Sequence, residues 1–178
     1  MKYILNNLQF TKMIKILYEN LSEEFNDSNS PIDVSENTGS TENIVVSNAE
    51  KQIGVKYKWG GSKPETGFDC SGLVTYVTNL PRQTANGFYN NISLKKIEKT
   101  NVKPGDLVFF GSNGKAHHVG IVDSVDEQKN LKSMIHSRGG KDCPGTRTTN
   151  NGKNCVVERT TNISWYTPIL GYRRLWKN

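Results

Sequence analysis

The sequence lacks several features that would place it in other classes of protein. No uninterrupted apolar run approaches the roughly 20 residues that a membrane-spanning helix needs, and only 34% of the residues are hydrophobic. No Cys-x-x-Cys spacing occurs, so a structural zinc site is not expected. Nothing resembles a helix-turn-helix, a zinc finger or an aromatic RNA-binding platform. These absences argue against a transmembrane span, a zinc module and a nucleic-acid-binding domain.

The first residues do not form a convincing secretory signal. After Met1 and Lys2, the short apolar run at residues 3–5 is interrupted by Asn6 and Asn7 before an h-region can form. Specialised secretion and phage lysis systems bypass such a signal, so the sequence leaves the export route open.

The charge of the chain is unevenly distributed. The net charge is +6. Residues 1–50 carry three lysines and eight acidic residues, a net charge of −5, whereas the remainder carries 20 basic and nine acidic residues, a net charge of +11. A basic body behind an acidic start favours an anionic partner. A nucleic acid and an anionic cell wall both qualify, and the absence of nucleic-acid-binding motifs favours the wall.

Two segments precede the residues that we interpret as a compact domain, 41–178. In residues 1–25, apolar side chains recur near the 3.6-residue period, which predicts an amphipathic helix. Residues 26–40 have the composition of a linker. The apolar face of the helix suits docking on the domain, pairing with a partner or lying on a membrane. Because this segment is not basic, the membrane is the weakest of these options.

The pattern from residue 41 onward predicts an α+β fold. A helix is expected over residues 42–54, with Ile44, Val45, Ala49 and Ile53 on one side, and a second helix follows Cys70. Apolar runs predict strands later in the chain, at 107–110, 118–125, 132–137, 156–157 and 172–176. Helices followed by consecutive strands are typical of N-terminal helices packed on an antiparallel sheet.

Cys70 is the candidate nucleophile. It lies where a helix is expected to begin, and the free N–H groups and partial positive charge of a helix start are expected to lower the pKa of a thiol. Asp69 can cap this helix. The backbone N–H of Cys70 and the hydroxyl of Tyr57 are candidate donors to an oxyanion. The alternatives are a buried structural cysteine and a tyrosine that only packs against its neighbours.

The other two cysteines, Cys143 and Cys155, flank a loop that is rich in Gly, Asn and Thr. They are candidates for a disulfide outside the cell, which would leave Cys70 as the unpaired thiol. The alternative is that all three cysteines are reduced, because pairing cannot be deduced from sequence.

His118 and His136 are the candidate base and its orienting partner. If their strands form a hairpin that pairs the two histidines, the turn is centred on residue 127, within the polar stretch 126–130. Directly opposed residues share a face of a sheet, so the two rings are expected to touch. The alternatives are two ordinary histidines, or a metal site, which lacks a third ligand nearby.

Six motifs follow one another along the chain. They are Tyr57-Lys58-Trp59-Gly60-Gly61, Phe68-Asp69-Cys70-Ser71-Gly72-Leu73-Val74, Leu80-Pro81-Arg82, Pro104-Gly105-Asp106-Leu107-Val108-Phe109-Phe110, His118-Val119-Gly120-Ile121-Val122 and Met134-Ile135-His136. In this order they resemble the NlpC/P60 family of cysteine peptidases, over about residues 42–176. The resemblance implies a papain-like core in which a helix carries the nucleophile and an antiparallel sheet carries the base.

The resemblance also implies roles for individual residues. It makes Cys70 the nucleophile, His118 the base and His136 the residue that orients the base, and it places Tyr57 near the oxyanion. Two further positions, Asp69 and Ser71, match family positions that contact the amine end of the substrate. His117 matches no family site. Neither a metal nor an organic cofactor is implied.

The implied reaction is hydrolysis of peptidoglycan stem peptides, at the γ-D-glutamyl–diamino acid bond, in the cell wall or outside the cell. The alternatives are an amidase or acyltransferase on the same core, and a wall-binding or assembly module with little or no activity. Whichever function holds, residues 1–25 and the linker resemble a tether or docking segment, which favours a larger wall-crossing assembly as partner. The segment 83–87, the long hairpin and the loop 143–155 depart from the family pattern, so substrate detail is where we expect differences.

Overall fold

The computed structural model describes residues 41–139 and 155–175. All of them belong to one compact unit that begins at Thr38. The predicted helix in 1–25, the linker 26–40 and Cys143 lie outside the described residues, so these remain predictions. Within the described part, no helix combines the length and apolar character that crossing a membrane requires.

The described chain forms three helices and eight strands. The helices are α1 (Thr41–Glu50), α2 (Cys70–Thr78) and α3 (Ala85–Tyr89). The strands are β1 (Ser62–Lys63), β2 (Gly67–Phe68), β3 (Lys95–Ile97), β4 (Leu107–Ser112), β5 (Lys115–Val125), β6 (Leu131–Ser137), β7 (Val157–Thr160) and β8 (Ile169–Arg174). Short 3-10 helices occupy Lys99–Asn101 and Ile163–Tyr166. Helices that precede a run of strands confirm the α+β prediction.

The six longer strands form one antiparallel sheet in the order β3-β8-β4-β5-β6-β7. Strand β4 shows why its sequence is a continuous apolar run. Leu107 and Phe109 pack in the core that contains α2, whereas Val108 and Phe110 pack in a second core. Because both faces are covered, the strand does not alternate between polar and apolar residues.

Two local predictions about α1 and β3 were wrong. Helix α1 ends at Glu50 and is followed by turns, and Ile44 and Ile53, expected on its apolar side, are both exposed. Only Val45 and Ala49 of that set are buried. Strand β3 was not expected, because two of its three residues are exposed lysines at the edge of the sheet.

The β5–β6 hairpin corrects the predicted register. The turn lies where it was predicted, since Asp126 and Asn130 bond to each other through backbone and side chain. The strands, however, pair Ile121 with Ile135 and Val122 with Met134, which centres the hairpin on residue 128 rather than 127. Outside the irregular pairing at Ser124, a shift of two residues keeps the side chains on their predicted faces, whereas a shift of one would invert the strand.

Candidate active site

Helix α2 begins at Cys70 because Asp69 caps it. The Asp69 backbone is extended, and its Oδ1 accepts the N–H of Gly72 at 2.6 Å, which satisfies one of the free donors of the first turn. Gly72 allows the preceding loop to approach closely, since an added Cβ would lie 1.8 Å from the carbonyl oxygen of Gly61. The nucleophile candidate therefore lies at a well-defined helix start.

The thiol of Cys70 lies against the strand that carries the candidate base. Cys70 is partly buried and is the free cysteine of the described residues. Backbone N–H groups of Val119 and Ser71 donate to the thiol and lower its pKa. Burial, followed by the negative charge of Asp69, outweighs them and raises the pKa of Cys70 to about 11. We expected the helix start to lower this pKa. The backbone N–H groups do lower it, but the net shift is upward.

The two histidines meet as predicted, although the register differs. Nε2 of His118 lies 2.9 Å from Nδ1 of His136. Continuing the observed pairing places Gly120, rather than His118, opposite His136, so the contact is diagonal between neighbouring strands, within reach of long side chains. His136 is fully buried. Burial, and then the neighbouring His136, lower the pKa of His118 to about 3, so the ring is neutral at physiological pH.

Two residues beside the histidines were missed by sequence reasoning. Glu158 on β7 pairs with His136, and its Oε1 lies 3.5 Å from His136 Nε2. The ring of Tyr166 stacks on His118 at 5.3 Å between centroids and meets the edge of His136 at 4.8 Å. Both residues come from the segment after 155, where no motif pointed to the site.

Tyr57 lies near the thiol. Its backbone bonds to Phe68 through a bridge next to Asp69, and its side chain is half-buried. Burial raises the pKa of Tyr57, and the neighbouring Cys70 and Asp69 raise it further. The phenol therefore keeps its proton at neutral pH and can donate a hydrogen bond towards a charge that develops beside Cys70.

Asp69 and Ser71 form a network with Arg82, which sequence reasoning quoted in a motif but did not assign to the site. Arg82 donates to Asp69 Oδ2 at 2.5 Å and to Ser71 Oγ at 2.6 Å. Asp69 also accepts Gly60 N–H at 2.9 Å and the Ser71 hydroxyl at 3.0 Å. Together with the cap on Gly72, these bonds occupy both carboxylate oxygens. The recorded contacts of Asp69 thus hold the helix start in place.

A family comparison covers this whole arrangement. Residues 54–163, more than half of the chain, match the model of the NlpC/P60 family. This chain belongs to the NlpC/P60 family. The match includes Tyr57, Cys70, His118 and His136, and therefore extends over the helix and the strands that carry the last three.

Individual NlpC/P60 proteins are similar over parts of the chain. Murein DD-endopeptidase MepH of Escherichia coli (strain K12) is 45% identical over 86 residues, which are 44% of this chain and 31% of that protein. The bifunctional muramidase/DL-endopeptidase CwlT of Bacillus subtilis (strain 168) is 49% identical over 85 residues, 43% of this chain and 25% of that protein. The chain thus spans less than a third of either relative.

A solved NlpC/P60 structure is similar over most of the chain. The NlpC/p60 domain of peptidoglycan hydrolase SagA aligns with a TM-score of 0.53 and 28% identity, over 75% of this chain and 97% of that chain. The alignment supports the papain-like arrangement that the resemblance implied.

The remaining candidates are His117 and the two cysteines that were expected to pair. His117 is exposed. Cys155 is disulfide-bonded, and its predicted partner Cys143 lies outside the described residues, so that pairing stays a prediction. In the parts of the chain that are described, no group of three or more His, Cys, Asp or Glu side chains is arranged to hold a metal ion.

Proposed function

We propose that this chain is a cysteine endopeptidase that hydrolyses the stem peptides of peptidoglycan, with Cys70 as nucleophile, His118 as base and His136 as the residue that orients His118. One observation carries the proposal. The free thiol of Cys70, at a helix start, lies against the backbone of Val119. The residue before Val119 is His118, whose ring is bonded to the buried ring of His136 at 2.9 Å. A nucleophile, a base and a group that orients the base are the parts that thiol-dependent acyl transfer needs.

The pKa shifts indicate how the reaction starts. With the Cys70 pKa at about 11 and the His118 pKa at about 3, the resting pair is a neutral thiol and a neutral imidazole. The thiol proton therefore passes to His118 as the sulfur attacks the carbonyl carbon, rather than before substrate binds. The attack breaks the carbonyl π bond and places a negative charge on its oxygen.

In the later steps His118 first gives up the proton that it took from the thiol and then accepts one from water. The backbone N–H of Cys70 and the hydroxyl of Tyr57 donate to the oxyanion. When the C–N bond breaks, protonated His118 gives its proton to the leaving amine, which leaves a thioester on Cys70. Water then attacks the thioester while His118 accepts its proton, and the thiol returns as the carboxylic acid is released.

The substrate class is inferred from the family and from charge. The two relatives described above are named as endopeptidases, one for a DD bond and one for a DL bond. Residues 51–178 carry a net charge of +11, which suits an anionic wall in the extracellular space. The γ-D-glutamyl–diamino acid bond is our choice among the stem-peptide bonds, and the DD cross-link is the second candidate because of the similarity to MepH.

Digestion of purified peptidoglycan followed by mass spectrometry tests this proposal. Cleavage at the γ-D-glutamyl bond yields a new free amine on the diamino acid, cleavage of DD cross-links turns dimers into monomers, and an amidase separates intact peptides from the glycan. The variants Cys70→Ala and Cys70→Ser are expected to yield none of these products.

The result that would contradict the proposal is lysis by Cys70→Ala at the wild-type rate. Wall binding by a folded wild-type protein that releases no fragments from any wall type would instead support a binding module. Thermal unfolding of both variants is the control, because a variant that fails to fold says nothing about the role of the thiol.

A further inference from the structure

The ring nitrogen Nε2 of His136 is a buried polar atom that the reaction scheme does not use. His136 is fully buried, and its Nε2 has no hydrogen-bond partner within ordinary geometric limits among the described residues. A carboxylate oxygen, Oε1 of Glu158, lies 3.5 Å from it, which is just beyond the usual range for such a bond. Since buried N–H groups rarely lack an acceptor, the short remaining gap to a carboxylate points to a functional pairing.

The position of Glu158 is set by the sheet. Strands β6 and β7 are antiparallel, and His136 and Glu158 are direct partners in that ladder. The contact with His136 holds the pKa of Glu158 below its usual value, and the positive charge of Arg138, 3.8 Å from Oε2, acts in the same direction. Glu158 is therefore ionised at neutral pH, and an ionised carboxylate only accepts hydrogen bonds.

An acceptor at Nε2 decides where the protons of both rings lie. If Nε2–H of His136 donates a hydrogen bond to Glu158, then Nδ1 of the neutral His136 ring carries a lone pair. That lone pair is 2.9 Å from Nε2 of His118, so Nε2 of His118 must carry the proton. Neutral imidazole has one N–H, and Nδ1 of His118 is then the unprotonated nitrogen that can take a proton from a thiol.

We propose that Glu158 is a positioning residue that fixes the tautomers of His136 and His118, so that a carboxylate and two imidazoles form a relay that ends at Cys70. This inference rests on the proposed roles of Cys70 and His118. The opposite tautomer pair would put a proton on Nδ1 of His118 and remove the base, which is the effect of a mis-set tautomer in a serine protease triad.

Tyr166 shields this relay. Its ring covers His118 and meets the edge of His136, and Phe110 lies 6.1 Å from His118 and 5.7 Å from Tyr166 between ring centroids. The pKa of Tyr166 is raised by its burial and then by the negative charge of Glu158, so the phenol is neutral. Among the described residues, His136 thus contacts the carboxylate of Glu158, the imidazole of His118 and the neutral phenol of Tyr166. Of these three, Glu158 is the charged acceptor.

Three variants separate positioning from a merely structural role. Glu158→Met keeps the length of the side chain and removes the acceptor, whereas Glu158→Gln keeps an acceptor oxygen. Glu98→Met removes a carboxylate from an exposed position and is the matched control. The readouts are the tautomers of the histidine rings, from long-range ¹H–¹⁵N spectra of the folded proteins, and kcat and KM on purified peptidoglycan fragments.

The wild type is expected to show the Nε2–H form at both His136 and His118. In Glu158→Met, the His136 signals should shift to a mixture of tautomers, and kcat should fall about 10- to 100-fold, by analogy with the loss seen when the outer partner of a metal-binding histidine is removed. KM should change little, Glu158→Gln should retain most of the activity, and Glu98→Met should match the wild type in both readouts.

Wild-type tautomers together with wild-type kcat in Glu158→Met would overturn the proposal, as would a wild-type His136 protonated at Nδ1. The spectra need no substrate. If the wild type digests no peptidoglycan, the proposed function fails, yet the tautomers of the wild type and Glu158→Met still decide whether Glu158 sets the relay.

Discussion

Arg82 offers a sharp test of how the nucleophile is held. It comes from the segment after α2, and its guanidinium bonds to the residues on either side of Cys70, Asp69 and Ser71. Replacing it by methionine removes these bonds and keeps most of the apolar stem. We expect Arg82→Met to fold, to lose a modest amount of stability and to lose more activity than its stability explains.

The expected loss of stability follows from the contacts. A hydrogen bond to a charged group contributes about 1.5–3 kcal/mol, and an exposed ion pair contributes less. The Arg82 side chain is 35% exposed, and Asp69 keeps its bonds to Gly60, Ser71 and Gly72 in the variant. Because of this exposure we use a value below that range, about 1 kcal/mol per bond and about 2 kcal/mol for the two bonds together, which corresponds to a fall in Tm of about 5–10 °C.

The assay compares Arg82→Met with Arg159→Met. Arg159 is 43% exposed and, like Arg82, bonds to two side chains, here the carboxylates of Asp123 and Glu50, so its loss should cost similar stability away from α2. At 25 °C, where both variants are folded, Arg82→Met should lose about 10- to 100-fold in kcat/KM because small displacements of a reacting group have effects of that size. Equal activity of the two variants would refute the reasoning.

Two further predictions concern the thiol and the sheet. Burial raises the pKa of Cys70 to about 11. The rate of alkylation of the free enzyme by iodoacetamide should therefore rise about tenfold per pH unit from pH 6 to 10. A constant rate between pH 5 and 8 would instead indicate a preformed thiolate–imidazolium pair. Asp106 is fully buried and accepts two hydrogen bonds from Arg174, at 2.7 and 2.8 Å. Asp106→Asn should therefore lower the free energy of unfolding in urea by about 3–5 kcal/mol. A loss below about 1 kcal/mol would contradict this prediction.

Local sequence signals predicted helix α2, which carries Cys70. They did not predict Arg82 and Glu158, because these residues join the site through long-range contacts. Asp69 before Cys70 and an apolar run after it were enough to predict α2, because capping and periodicity act within a few residues. Arg82 and Glu158 reach the site through packing that no local pattern encodes. Strand β3 was missed because only Ile97 of its three residues is buried, and the two exposed lysines before it carry no strand signal.

The histidine contact was predicted from a wrong register, and the structure shows why the error did no harm. Sheet parity decides which face a side chain occupies, so a slip of two residues left His118 and His136 on one face. The true register puts Gly120 opposite His136, where an added Cβ would lie 2.8 Å from Met134 Sδ and 3.5 Å from His136 Cβ. A larger residue at 120 would therefore have to displace the Met134 side chain beside His136. The glycine in the motif His118-Val119-Gly120 thus has a steric reason: it leaves room for Met134 next to the buried histidine.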